Sequence, residues 1–294
     1  MSNQGNNQSP IQNGDETDVF GFKKPGYDNN RVVALMPTDR DDMFYNMNHK
    51  RRGLALIFNH ENFEIEKLRS RTGTAVDASN LKRILTNLGF EVILFNDLKT
   101  RKVMEEVQKA ASYNHRDSDC FFLAVLSHGE MGILYGKDCA YKPEQLWLPF
   151  TADKCPTLAG KPKLFFFQAC QGDQLDGGIT MHRRTETDGQ ISYKIPIHAD
   201  FLIAYSTIPG FYSWRNTTKG SWFIQALCME LEQYGDKLDL LALLTMVCRR
   251  VAYDFESNTP NDRVMHQQKQ IPCITTMLTR LIRFQPKGYQ MELV

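Results

Sequence analysis

Two residues of this 294-residue chain have the side chains needed for nucleophilic catalysis and sit in matching contexts. Cys170 follows residues 164–167, a wholly apolar run, within Gln168-Ala169-Cys170-Gln171-Gly172. Such a run reads as a strand buried on both faces of a parallel sheet. The C-terminal mouth of that kind of strand is where open α/β sheets place ligands. His128 is placed in the same way, in Ser127-His128-Gly129-Glu130 directly after the apolar run 120–126. A thiol becomes a working nucleophile when an imidazole beside it exchanges protons and N–H groups receive the oxyanion. Taken singly, Cys170 reads as a small core hydrophobe and His128 as a satisfied structural histidine.

The elements that must bring these residues together follow from periodicity. A buried strand at 54–58 leaves through a turn at 59–62 and a polar loop, Ser70-Arg71-Thr72-Gly73-Thr74. Asp77 or Ser79 is expected to cap a helix carrying Leu81, Ile84, Leu85 and Leu88 on one face, ended by Gly89. Then come a strand at 92–95, a helix with Val103, Val107, Ala110 and Ala111, and the strand at 120–126. This βαβαβ order predicts a parallel sheet with right-handed crossovers. A short helix is expected within 142–150, ahead of the strand at 164. Residues 171–198 are polar and Gly-rich and read as a long exposed loop, which in compact domains is usually functional. A strand at 200–205 and a loop at 206–218 precede two amphipathic helices. One carries Phe223, Ala226, Leu227 and Leu231; the other carries Leu240, Leu243, Leu244, Val247, Val251 and Phe255. A loop at 258–269 leads to a last strand expected near 275–284. Four polar clusters, at 70–74, 127–130, 168–172 and 212–218, therefore converge on one rim of the sheet.

Gln-Ala-Cys-Gln-Gly matches a nucleophile signature that carries its histidine upstream, and through it the chain resembles the caspases. The resemblance runs from about residue 46 to 284, through FNHE, SRTGT, SHGE, QACQG, YSWRN and IPCITTMLT. It implies a six-stranded, mostly parallel sheet with helices on both faces. It also implies a cysteine endopeptidase that cleaves after aspartate during apoptosis, with His128 and Cys170 catalytic and the N–H groups of Gly129 and Cys170 as oxyanion donors. A short carboxylate calls for guanidinium forks. Arg71 and Arg215 match the family's pocket arginines and Gln168 its third pocket residue, while Ser213, Trp214 and Trp222 line the substrate path. Between Phe255 and Gln270 the chain has Asn258-Thr259-Pro260-Asn261 where the vertebrate executioners it resembles carry phenylalanines. The outermost substrate position is thus left unassigned.

Residues 1–30 are rich in Asn, Gln, Gly and Asp and are expected to be a disordered propeptide. That leader is too short for an adaptor domain, which points to an executioner caspase, most like insect members. The resemblance then implies a zymogen cut into a large subunit (31–188) and a small one (189–294), paired as a dimer of such pairs through the last strand. Asp188, in the activation loop 171–198, is the expected main processing site, and Asp18 or Asp28 the leader site. An upstream initiator caspase and inhibitor-of-apoptosis proteins are the implied partners, alongside protein substrates with an exposed Asp-containing loop. A net charge of +1 gives no reason to expect nucleic acid or membrane. Seven scattered cysteines without a CxxC pair exclude a dense disulfide framework and argue against structural zinc. No signal peptide is recognisable, the cytoplasm is expected, and the reaction should need no cofactor. A dead caspase relative acting as a regulator would lack Cys, His or a pocket Arg. A Cys–His peptidase cutting after basic residues would need carboxylates in its pocket.

Overall fold

A computed structural model of the protein describes residues 34–177 and 196–287. The leader 1–30, most of the loop 171–198, and Asp18, Asp28 and Asp188 lie outside the described residues. In chain order the elements open with β1 (Leu54–Asn59), α1 (Thr74–Asn87), β2 (Glu91–Asn96), α2 (Thr100–Ala111) and β3 (Phe121–Leu126). Three short strands follow, β4 (Gly129–Glu130), β5 (Ile133–Tyr135) and β6 (Ala140–Tyr141), then α3 (Glu144–Trp147), β7 (Lys163–Gln168) and β8 (Phe201–Tyr205). The chain continues with β9 (Arg215–Asn216), β10 (Gly220–Ser221), α4 (Trp222–Tyr234), α5 (Leu240–Asp254) and β11 (Cys273–Thr276).

The main sheet runs β11-β8-β7-β3-β1-β2. Every neighbouring pair is parallel except β11 on β8. β1, β3 and β7 are buried at all positions, because both faces are covered and alternate side chains serve different cores. Ile57, Phe122, Leu164, Phe166 and Leu202 face Leu81 and Leu85 of α1, Leu227 of α4 and Val247 of α5. Phe58, Phe121, Phe165, Phe167 and Phe201 face Val103 and Val107 of α2 and Leu146 of α3. The sheet with helices on both faces is therefore as expected from the sequence. On the N-terminal approach to it Tyr45 and Met47 are buried, while Leu35 and Met36 are exposed.

Two local expectations are corrected, and the short helix expected within 142–150 is present but brief. Neither Asp77 nor Ser79 caps α1, which starts after Gly73 in a left-handed conformation (φ 92°) with no side-chain cap. Asp77 is instead buried in the first turn, and its carboxylate accepts hydrogen bonds from Ser221 of β10; Ser79 is an exposed mid-helix residue. Within 142–150 only one α-turn forms, followed by a 3₁₀ turn at Leu148–Phe150, where the ring of Pro149 cannot continue the helix. The last strand ends at Thr276, so most of 275–284 is not in the sheet. Ile282 and Phe284 are buried for a different reason. Phe284 packs edge-on against Phe90, with ring centroids 5.8 Å apart, and the Ile282 N–H donates to Asp239 at 2.9 Å.

Candidate active site

The rim is assembled by strand register. In the parallel pair β3/β7, Leu126 lies opposite Gln168, and the Ser127 N–H donates to the Gln168 carbonyl at 3.1 Å. His128 and Cys170 therefore leave adjacent strands at nearly the same level. Gly129 is in close contact with the nucleophile's main chain: a Cβ there would lie 2.7 Å from the Cys170 carbonyl oxygen.

The Cys170 sulfur accepts the Ser213 N–H at 3.4 Å and lies 3.8 Å from the Ser213 carbonyl. Burial raises the thiol's pKa, while the Ser213 N–H and the nearby Arg71 and Arg215 charges pull it down. His128 Nε2 is 2.7 Å from the Arg69 carbonyl, and its ring packs on Phe63 with centroids 4.9 Å apart. A carbonyl only accepts, so the ring proton sits on Nε2 and Nδ1 is left as the basic nitrogen. Burial lowers the His128 pKa, Arg71 and Arg215 lower it further, and the Arg69 carbonyl opposes them. Thiol and imidazole thus rest as a neutral pair. The group that orients the imidazole is a main-chain carbonyl, which no residue pattern could have revealed.

The charges of both arginines act on this thiol. Arg71 is 1 % exposed, donating through Nη1 to the His60 carbonyl (3.0 Å) and to Thr74 Oγ1 (2.7 Å), which in turn donates to Asn59. Arg215 Nε donates to the Thr72 carbonyl at 3.0 Å. Burial, then the Arg215 charge, brings Arg71 down to about 9, so the two guanidiniums feel each other. Among the described residues neither has a carboxylate within ion-pair distance. Gln168 joins them, donating to Ser213 Oγ at 2.7 Å, and its buried Oε1 has no partner among the described residues. Buried charges and polar atoms are normally paired, and this cluster has the form of a receptor for a small anionic group.

Trp214, Trp222 and Phe255 extend the rim as an aromatic wall. Trp214 stacks on Trp222 with centroids 5.7 Å apart, and Trp222 on Phe255 at 5.6 Å. All the described residues singled out in the sequence are thus brought to one rim. Three contributors were not foreseen: the Arg69 carbonyl, Asp77 and the hairpin β9–β10 that presents Arg215. Ser213 also proves to hold the sulfur itself.

Comparison with known proteins identifies the family. A family model described as the caspase domain matches residues 52–283. Caspase-1 of Spodoptera frugiperda is 60% identical over 276 residues, covering 93% of this chain and 91% of that protein. Caspase drICE of Drosophila melanogaster is 62% identical over 270 residues, covering 91% and 80%. Caspase-7 of Gallus gallus is 45% identical over 246 residues, covering 82% and 79%. The crystal structure of the Spodoptera caspase-1 has a TM-score of 0.82 and 61% identity, over 87% of this chain and 100% of that one. A caspase-domain match over most of the chain, with relatives at 60% identity and more, settles the family: the chain belongs to the caspase family, beside the insect effector caspases.

Proposed function

We propose that Cys170 and His128 carry out the aspartate-directed peptide hydrolysis of an effector caspase, and that Arg71, Arg215 and Gln168 select the substrate. The observation that carries this reading is the pair of guanidiniums beside the thiol, one fully buried, with no described counter-ion. A substrate aspartate supplies the missing carboxylate, held by bidentate, charge-assisted bonds. Its peptide carbonyl then lies over Cys170. His128 Nδ1 takes the thiol proton, the sulfur adds to the carbonyl carbon, and the N–H groups of Gly129 and Cys170 receive the oxyanion. The imidazolium returns its proton to the leaving amine, giving a thioester at Cys170. Water, deprotonated by His128, hydrolyses that thioester and frees the thiol. Trp214 and Trp222 wall the upstream substrate residues, and Ser213 flanks the sulfur.

The chain is made as a zymogen on this reading. A cut after Asp188 within 171–198 gives the subunits 31–188 and 189–294, with a secondary cut after Asp18 or Asp28 releasing the leader. The active form is a dimer of large–small pairs joined through β11, whose outer edge has no strand beside it among the described residues. The protein works in the cytoplasm, is activated by an upstream initiator caspase and is restrained by inhibitor-of-apoptosis proteins. Among the described residues no helix is long and apolar enough to cross a membrane.

A peptide-library cleavage assay on the purified, processed protein tests the core of the proposal. Cleavage should be confined to bonds after Asp and vanish in Cys170→Ala, a small-for-small change expected to cost about 1 kcal/mol of stability. Cleavage after other residues, or wild-type turnover by Cys170→Ala, would refute it.

A further inference from the structure

The hairpin that presents Arg215 is too small to stand alone. β9 and β10 are two residues each, pairing Arg215 with Ser221 and Asn216 with Gly220. Isolated two-stranded hairpins are marginal even at greater length. Its anchors must come from elsewhere, and three of them lie within residues 72–77, immediately after Arg71. The Thr72 carbonyl accepts from Arg215 Nε at 3.0 Å. Gly73 packs so closely that a Cβ would lie 2.6 Å from the Thr217 carbonyl oxygen. Asp77 grips Ser221 twice, accepting its N–H at 2.8 Å and its Oγ–H at 2.6 Å. A Cβ on Gly220 would fall 2.2 Å from Asp77 Oδ1, and Gly220 has φ 94°, so the carboxylate lies flush against a stretch of backbone that only glycine fits.

We infer that Asp77 is a positioning residue for substrate selection: through Ser221 it fixes the hairpin and hence the guanidinium of Arg215 relative to that of Arg71. The inference rests on the reading of those arginines as the aspartate pocket. Ser221 is the direct cross-strand partner of Arg215, so a shift of one moves the other. The loop carrying one pocket arginine thereby holds the hairpin carrying the other. The proposed cut after Asp188 would leave Asp77 and Ser221 on separate chains, making this contact, with those of Thr72 and Gly73, part of what keeps the two halves of the pocket in register. Stability does not account for the carboxylate. Asp77 is 1 % exposed and forms no ion pair among the described residues, and burial raises its pKa to about 6, so holding it ionised at neutral pH works against the fold.

The test compares processed wild type with Ser221→Ala, Asp77→Asn and Asp77→Ala, reading two rates of Cys170 modification. One probe is an aspartyl peptide chloromethyl ketone, which needs the pocket; the other is iodoacetamide, which needs only the thiol. Asp77→Ala should slow the aspartyl probe by about tenfold or more, the scale of one hydrogen bond to a charged group, and leave the iodoacetamide rate within about twofold. Ser221→Ala should slow the same probe by a smaller factor. The double variant should be no slower than Asp77→Ala alone, because both act through one contact. Asp77→Asn, which retains an acceptor for the Ser221 N–H and a donor for its Oγ, should recover most of the rate. Should Asp77→Ala not fold, Ser221→Ala and Asp77→Asn still decide: a wild-type aspartyl-probe rate in Ser221→Ala overturns the inference. So does an equal loss with both probes, or full additivity in the double variant. Failure of the wild type itself to react selectively with the aspartyl probe would instead refute the reading of the pocket.

Discussion

A fully buried guanidinium with no carboxylate at ion-pair distance is costly to maintain, and among the described residues Arg71 is such a group. Its hydrogen bonds to the His60 carbonyl and to Thr74 hold it in place, while the Asp77 and Glu61 carboxylates offset its charge only from beyond ion-pair distance. Replacement by lysine keeps the charge and loses the planar fork. Arg71→Lys should therefore lower kcat/KM for Asp-ending peptides about hundredfold, on the basis of two charge-assisted bonds at roughly 1.5 kcal/mol each; retention of full efficiency would remove Arg71 from the pocket. A second expectation concerns pH. The groups facing Asp77 are Arg71 on the preceding loop, Arg215 on β9 and the Cys228 thiol on α4. With its folded pKa raised to about 6, the native state binds this proton more tightly than the unfolded chain. Its stabilising contribution is complete below the ordinary carboxylate value and lost as pH rises through 6. Asp77→Asn does not titrate, so it should exceed wild type in urea stability by about 1–3 kcal/mol at pH 7.5, with the gap closing toward pH 4.5; a gap independent of pH would contradict this. At this scale the cysteine, the histidine and both arginines were legible because their neighbours form distinctive short motifs. The Arg69 carbonyl was not, since every residue has one. Asp77 was misread because an acid near the start of a helix has the composition of a cap, and only the fold shows Ser221 lying over it.

Among the elements, legibility follows length. β1, β3 and β7 were plain because six consecutive buried positions leave an unbroken apolar run. The strands β4, β5, β6, β9 and β10 span two or three residues each and are too short for a period to emerge. The apolar residues of 281–284 mimicked a strand because they are buried by packing rather than by pairing. The short elements nevertheless carry chemistry, for β4 begins with Gly129 and β9 with Arg215. Chain on either side of the proposed activation cut reaches the same place. The Gln171 N–H donates to the Phe211 carbonyl, the Gly210 N–H to that of Gln171, and the Lys269 N–H to that of Asp176. On the zymogen reading, restraint by the single uncut tether joining these segments is the expected brake. Asp188→Ala incubated with an active initiator caspase should stay uncut between 171 and 198 and show no more than a few per cent of wild-type turnover of a fluorogenic Asp peptide, about two kcal/mol of lost transition-state stabilisation. Full activity without a cut there would show that the brake lies elsewhere.

At the scale of the whole molecule, buried charge ties the chain's later segments to its first strands. Asp119, fully buried just before β3, receives Arg52 Nη1 at 2.8 Å, the His49 N–H at 2.8 Å and the ammonium of Lys287. Lys287 also donates to the Met47 and His49 carbonyls. Asp119→Ala would leave Arg52 buried and uncompensated, and should cost about 3–5 kcal/mol in urea unfolding; a loss below about 1 kcal/mol would show that water reaches the site. Tyr45 and Thr279 make a second tie by donating to Asp200 at 2.8 and 2.7 Å. The ladder from β7 to β8, Lys163↔Phe201 to Phe167↔Tyr205, lies in the interior of the sheet, and the chain joining the two strands passes through residues outside those described. Severing that connection would leave the ladder intact while changing the kinetic order of its formation. An uncut chain regains its fold by a first-order search at any dilution. A cut one must bring two chains together to rebuild the middle of a sheet, so its refolding is second order and its yield falls as the solution is diluted. Proteolysis at this point would act as a ratchet: the native state survives the cut, but the route by which it was reached does not.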